Sequence, residues 1–423
     1  MQANWSSPLR PSSGPDRDRR NLAVRVELAL VDRGVADATG ATGAREPARP
    51  VAIAPAAPPT LGRVTASAPL ASPLDAEDLR VRVHKALEEF LSAQALVLDA
   101  VSHDLAPLMD ALTDLLAGGK RLRPAFCYWG WRAAGGPDTT GIVGVAASLE
   151  LFQAAALIHD DVMDGSDTRR GMPAAHRRFA ALHRGNGWLG SPEAFGQAGA
   201  ILGGDLCLSW CDEMYAGADL APEQLARGRS VFDRMRTELM SGQYLDMLEQ
   251  VMASTSVARA RHVNLHKSAK YTVEQPLLLG ATMAGAEPEL LRTLSAYGVA
   301  LGEAFQLRDD VLGTFGDPGE TGKPAGDDLR EGKRTVLMAL TAERASPADA
   351  ALVRRGLGDR HLDEQGVGRL REVIVSTGAL DEVERLIATL CTDARMALAA
   401  ADLGPPAREV LDRLVAAATV RTD

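Results

Sequence analysis

The sequence predicts an all-α protein with a disordered N-terminal extension, on three observations. Aromatic residues make up only 4% of the chain while alanine and leucine dominate its apolar set, which favours helix over sheet. From Asp75 onward apolar residues recur at helical spacing, and no alternating strand pattern with hairpin turns competes. Composition also shifts sharply near residue 75: residues 1–75 hold 10 of the 23 prolines, nine arginines, seven acids and no lysine. Within them only Leu22 to Leu30 (LAVRVELAL) could form an element. Prolines this dense break helices, and the segment has too little apolar material to offset its ordering entropy. Residues 1–75 therefore read as the extension, and residues 76–423 as one domain on the order of a dozen helices.

The first helix is set by LDAEDLRVRVHKALEEFLSAQALVLDAV, where Leu79, Val83, Leu87, Phe90 and Leu91 form an apolar stripe with charges opposite. Amphipathic stretches follow at about 104–117, 141–163, 197–216, 222–250, 258–285, 288–314, 335–342, 364–376 and 379–401. Short breaks such as AAGGPDTTG and AGAEPE separate them. The balance of 46% hydrophobic and 24% charged residues is that of a globular chain with a sizeable core. No run of 18 uncharged apolar residues occurs, so no membrane span is expected. The first twenty residues lack the apolar stretch of a secretory signal, and the terminal VRTD has no prenylation cysteine. Four cysteines do not make a disulfide framework, and Cys207 and Cys211, spaced C-x3-C without a second pair, read as reduced core thiols. A cytoplasmic location is expected. The net charge of -10 does not attract nucleic acid, so no nucleic-acid partner is expected and an anionic substrate needs a local cationic site.

Residues 150–179 read ELFQAAALIHDDVMDGSDTRRGMPAAHRRF. On a helix Asp160 and Asp164 are i and i+4, so both project from one face, with Asp161 about 100° around from Asp160. Apolar residues precede them for more than two turns. Such grouped carboxylates suit a divalent cation with oxygen ligands, magnesium above all, although an exposed acid-rich helix end would look the same. A second cluster, Asp309 and Asp310, interrupts another apolar helix. Each cluster follows a Phe-Gln pair, Phe152-Gln153 and Phe305-Gln306, which suggests two helices presenting carboxylates to one cavity. Cations gather nearby: Lys120, Arg121 and Arg123 in GGKRLRP, Arg169 and Arg170 after the first motif, Lys267 in HKS, and Lys323 and Lys333 after the second. Paired aspartates beside lysine and arginine point to a polyphosphate ligand bridged by magnesium. His159, one residue before the acids, reads as a structural hydrogen-bonding group.

In this pattern the chain resembles the trans-isoprenyl diphosphate synthases, the polyprenyl synthetase family. GGKRLRP (118–124), HDDVMDGSDTRRGMPAAH (159–176), GQYLD (242–246), HKS (266–268) and FQLRDDVLGTFGDPGETGKPAGDDLREGKRT (305–335) match its signature regions in order, over roughly residues 78–420. The resemblance implies an orthogonal helical bundle around a deep central cavity, assembled as a homodimer. It implies three Mg2+ ions: two at Asp160 and Asp164, supported by Asp161, and a third at Asp309, supported by Asp310. Arg169, Lys267, Gln306, Lys323 and Lys333 are the implied contacts of the allylic diphosphate, with Ser268 in the same HKS motif. Lys120, Arg123, Arg170 and Gln153 are those of isopentenyl diphosphate, with Arg121 adjacent. One departure stands out: Gly313 occupies a position where the family commonly has a third aspartate, and Asp317 and Asp328 lie nearby in sequence.

The implied reaction ionises an allylic diphosphate (dimethylallyl, geranyl or farnesyl), condenses the cation with isopentenyl diphosphate and eliminates a proton to give a trans-polyprenyl diphosphate. No side-chain nucleophile is required, and no Ser-His-Asp or Cys-His arrangement is evident. Chain length is expected to be set along the helix of Asp160, where Ala155 and Ala156 leave the path open and Phe152, eight residues back, is the candidate floor; the alternative is that Phe152 packs in the core and a neighbouring helix sets the floor. This favours the twenty-carbon geranylgeranyl diphosphate over farnesyl or longer products. A class I terpene cyclase would not need GGKRLRP or the TGKP and GKRT lysines, and a regulatory subunit would usually have lost one acidic motif.

Overall fold

The computed structural model describes residues 72–317 and 326–419. Residues 1–71 of the expected extension, and Lys323, lie outside the described residues. The domain's first described turn begins at Pro73, capped by the Ser72 hydroxyl, with Leu74 already buried.

In chain order the helices are α1 (Leu79–Val101), α2 (Ala106–Ala117), α3 (Leu122–Ala133), α4 (Thr140–Asp164), α5 (Ala175–Gly185), α6 (Pro192–Ala216), α7 (Pro222–Val251) and α8 (Val257–Asn264). They continue with α9 (Gln275–Ala284), α10 (Pro288–Phe315), α11 (Asp327–Glu331), α12 (Val336–Arg344), α13 (Pro347–Gly356), α14 (Glu364–Ser376), α15 (Ala379–Ala400) and α16 (Pro405–Thr419). The stretch expected at 258–285 is one helical rod whose middle, Leu265–Glu274, widens to π-helical winding. Two short strands, β1 (Thr168–Arg169) and β2 (Met172–Pro173), pair antiparallel. Their turn places Arg170 (φ 54°) and Gly171 (φ 74°) in the left-handed region, as a two-residue hairpin of matching twist requires.

The bundle is built around α4. It packs on α6, α3 and α1, while α10 packs on α15 and the π-helical segment. From Ile142 to Ile158 α4 is apolar on almost every side and buried accordingly. By length and composition it could cross a membrane, but 78% of the qualifying window is buried inside the domain, which marks a core helix. The first-turn signals are conventional: Ser191, Ser256 and Thr335 accept backbone N–H groups at the starts of α6, α8 and α12.

Candidate active site

The last turns of α4 and of α10 face a cavity of about 660 Å³. Gln153, Ala156, Leu157 and Asp160 line it from α4, and Gln306, Asp309, Asp310 and Gly313 from α10. Gln243 and Asp246 of α7, Lys267, Ser268, Tyr271 and Thr272 of the π-helical segment, and Lys120 and Arg123 before and within α3 complete most of the wall. The two acidic motifs therefore share one cavity.

Around the first motif Asp160 and Asp161 share the Arg169 guanidinium, which reaches Asp160 Oδ2 at 3.5 Å, and differ in their other partners. Asp160 accepts from Gln243 Nε2 at 2.9 Å and from Lys267 Nζ at 3.3 Å. Asp161 is turned away from the cavity and bound by the Arg169 guanidinium, whose Nε donates to it at 2.9 Å. Burial works against the Arg169 charge, but Asp161 outweighs it and the pKa rises. Lys267 also donates to Asp246 at 2.6 Å; burial opposes its charge, and Asp160 and Asp246 reverse the balance and raise its pKa. Asp164 is buried, with Oδ2 lacking a hydrogen-bond donor and the Lys333 ammonium 3.9 Å away. Burial, then the charge of Asp160, pushes its pKa up to about 6.

The second motif is similar. Buried Asp310 accepts from Gln306 at 2.8 Å and from Asn264 at 3.3 Å. Burial, with the charges of Asp328 and Asp309, nevertheless pushes it up to about 7. Lys333 lies 3.2 Å from Asp328 and 2.9 Å from Glu331. A Cβ on Gly313 would lie 1.9 Å from Asp328 Oδ2. The departure at this position thus has a physical reading: the carboxylate of Asp328, fifteen residues on, enters the space that a side chain on α10 would fill.

This donor set fits magnesium. Asp160, Asp246, Asp309, Asp310 and Asp328 face the cavity with carboxylate oxygen. Asp164 lies one turn beyond Asp160, buried just outside the lining with Oδ2 lacking a donor, and burial and neighbouring charge that a cation would relieve raise both Asp164 and Asp310. Among the described residues no three acidic, histidine or cysteine side chains converge on one point. Magnesium bound here would complete its shell with water and substrate phosphate oxygens, its usual habit.

A second cationic group occupies the side of the cavity next to α3. The Arg123 guanidinium lies 4.2 Å over the Tyr271 ring and donates to Thr272 Oγ1 at 2.9 Å, while its Nε is buried without an acceptor. The Tyr271 hydroxyl donates to Gln153 Oε1. Arg170, carried on the hairpin turn, donates to the carbonyls of Leu115 (2.6 Å) and Gly118 (2.7 Å) and so shapes the Gly-Gly loop. Burial, and the nearby charges of Arg121, Arg123 and Arg169, lower its pKa. Arg121 is placed differently from its neighbours: its guanidinium turns into the core, 2.5 Å from Glu150, with a side-chain exposure of 4%. His159 donates from Nε2 to the Ile201 carbonyl at 3.2 Å, on the α6 side of α4.

The chain-length candidates separate by helical angle. Ala156 lies about 40° from Asp160 around α4 and lines the cavity; Ala155 lies about 140° away and is buried in the core, outside the lining. Phe152 is also buried outside the lining, edge-on to cavity-lining Tyr271 at 5.4 Å. Gln243, Asp246, Asn264, Tyr271 and Thr272 were not singled out from sequence. The signal for the first two was GQYLD: a Cβ on Gly242 would lie 2.4 Å from the Lys267 backbone nitrogen, so glycine lets α7 touch the π-helical segment and bring Asp246 to Lys267.

Residues 106–374 match the polyprenyl synthetase family. The chain belongs to that family. Among its relatives, the geranylfarnesyl diphosphate synthase of Aeropyrum pernix is 33% identical over 272 residues, 63% of this chain and 79% of the relative. The geranylgeranyl diphosphate synthase of Methanosarcina mazei is 32% identical over 271 residues, 64% and 76% of the two chains. The crystal structure of geranylgeranyl pyrophosphate synthase from Corynebacterium glutamicum, complexed with isoprenyl diphosphate and magnesium, superposes with a TM-score of 0.78 at 43% identity, covering 81% of this chain and 98% of that one. As a polyprenyl synthetase the chain is a trans-prenyltransferase with the isoprenoid-synthase bundle anticipated from its motifs.

Proposed function

We propose that this polyprenyl synthetase condenses isopentenyl diphosphate with an allylic diphosphate to give mainly geranylgeranyl diphosphate. The observation that carries the reading is the single cavity faced by Asp160 from α4, by Asp309 and Asp310 from α10, and by two separate cationic groups. Arg169, Lys267, Lys333 and Lys323 would neutralise the allylic diphosphate, with Gln306 and Ser268 beside it. Magnesium, for which Asp160, Asp164 and Asp309 are the proposed holders of three ions, supplies Lewis-acid stabilisation of charge on the leaving diphosphate when bound. Lys120, Arg123, Arg170 and Gln153 would hold isopentenyl diphosphate alongside, so that its double bond meets the allylic carbon as the carbon–oxygen bond breaks. The surplus proton leaves to the departing diphosphate, so no side-chain base is required.

Product length follows from the α4 wall. Ala156 leaves the cavity open below Asp160, and the edge-on pair of Tyr271 and Phe152 is the proposed floor. The protein is further proposed to act as a homodimer: Trp188, Leu189, Phe195, Ile201 and Leu202, at and before α6, expose an apolar surface that a second copy would cover. Its buried free thiols Cys127, Cys207 and Cys211 suit the reducing cytoplasm. Incubation with isopentenyl diphosphate and each allylic primer, then phosphatase treatment and mass spectrometry, tests the reading. A linear twenty-carbon alcohol is expected; a cyclic hydrocarbon or no turnover would overturn it.

A further inference from the structure

The loop Leu357–Asp363, between α13 and α14, lies outside the cavity, yet it joins the two acidic motifs from behind. The Gly358 N–H donates to the Leu329 carbonyl of α11 at 2.9 Å. Arg330 of α11 donates in return to the Leu362 carbonyl at 2.9 Å and to Glu364 at 2.8 Å. The loop is thus latched to the segment that supplies Asp328 and Lys333. From its other side Arg360 reaches the end of α4, donating to the Asp164 carbonyl and, at 3.3 Å, to that of Gly165. Carbonyls at a helix C-terminus have no partner within the helix. Gly165 ends α4 with φ 65°, and a Cβ there would lie 2.6 Å from Arg360 Nη1, so the approach is close. A second strap runs in parallel: the Ser166 hydroxyl donates to Glu331 at 2.6 Å. The same stretch of chain also serves the other acidic helix, where Arg371 of α14 donates to the Thr314 carbonyl of α10 at 2.7 Å.

We propose that Arg360 is a positioning residue for the divalent-metal centre: by tying the end of α4 to the loop latched on α11, it fixes Asp164 relative to Asp328 and Lys333. Its charge also offsets the negative end of the α4 dipole, where Asp160, Asp161 and Asp164 crowd together. Arg360 itself is exposed and touches no cavity-lining atom, so its influence passes through the helix end. The inference rests on the metal role proposed for Asp164.

The test is a magnesium titration of full-length Arg360→Ala, Arg360→Lys and Asp164→Ala. It is read as condensation rate and, separately, as the magnesium-dependent rise in melting temperature with inorganic pyrophosphate. Arg360→Ala should raise the half-saturating magnesium concentration about tenfold or more in both readouts, as removing an outer hydrogen-bond partner of a ligand does. The KM for isopentenyl diphosphate should stay unchanged, and Arg360→Lys, which keeps a donor, should recover most of the affinity. If Arg360→Ala titrates like the wild type while Asp164→Ala loses its magnesium response, the positioning role is wrong and the metal role stands. If Asp164→Ala also keeps that response, the reading of Asp164 itself fails.

Discussion

Gly313→Ala probes the active site with a single added methyl group. Its Cβ would lie 1.9 Å from Asp328 Oδ2 and 2.5 Å from Asp328 Cγ, whereas real Cβ contacts stay beyond 3.0 Å. The carboxylate must retreat by at least about 1.1 Å, and its 3.2 Å bridge to Lys333 opens with it. A displacement of about 1 Å in a group that organises reacting partners costs on the order of 100-fold in rate. Stability should move the other way or hardly at all, because alanine is better than glycine in a helix interior by about 1 kcal/mol and a carboxylate can rotate aside. Steady-state kinetics at saturating magnesium, paired with thermal melts, measures both. A kcat within twofold of the wild type would refute the view that the position of Asp328 matters. A companion pair sharpens the test: Gly313→Asp combined with Asp328→Ala supplies the carboxylate from α10 and vacates the space. It should recover activity relative to Asp328→Ala alone.

Asp160→Ala and Asp309→Ala should each cut turnover by orders of magnitude while circular dichroism stays helical; near-normal rates at saturating magnesium would remove that carboxylate from the metal set. Ala156→Phe should shorten the product to fifteen carbons, whereas Ala155→Phe should overpack the core and cost about 1–3 kcal/mol without shortening it; mass spectrometry and melts distinguish these. For pH, Asp164 (about 6) and Asp310 (about 7) stand above the ordinary 3.8, so the fold favours their protonated forms. Their contribution to stability is complete below about pH 4 and is lost as pH rises through about 7. The melting temperature of the metal-free protein should therefore fall over that window, and less so in Asp310→Asn; an identical fall in the variant would contradict this. Arg123→Ala should mainly raise the KM for isopentenyl diphosphate and Lys267→Ala that for the allylic primer, measured with each substrate varied in turn.

The acidic helices were legible because each carries its carboxylates at the end of a long apolar run, a pattern that survives in one dimension. The helix α3 was not, because nearly all of its residues from Leu122 to Trp131 are buried and no polar face marks the period. The hairpin at Thr168–Pro173 is too short to show alternation. Arg121 could not be told from Lys120 and Arg123, since its partner Glu150 lies 29 residues away and only the fold brings them together. The π-helical winding at Leu265–Glu274 likewise depends on packing against α7 and α10 rather than on a local residue preference.

The burial of α4 has a consequence for how the chain is made. Its apolar length leaves the ribosome before its main neighbour α6 exists: Ala216 is added roughly 50 residues after Asp164, about 3–10 s later at 5–20 residues per second. During that interval a segment apolar enough for a bilayer has α1, α2 and α3, and then the short α5, to cover it, without its largest neighbour. Glu150 sits in its middle, and the acids at its end add charge that disfavours insertion and self-association. The carboxylates proposed above as magnesium holders would thus also guard the chain during synthesis. Replacing them should lower soluble yield in the cell even where the purified protein melts normally.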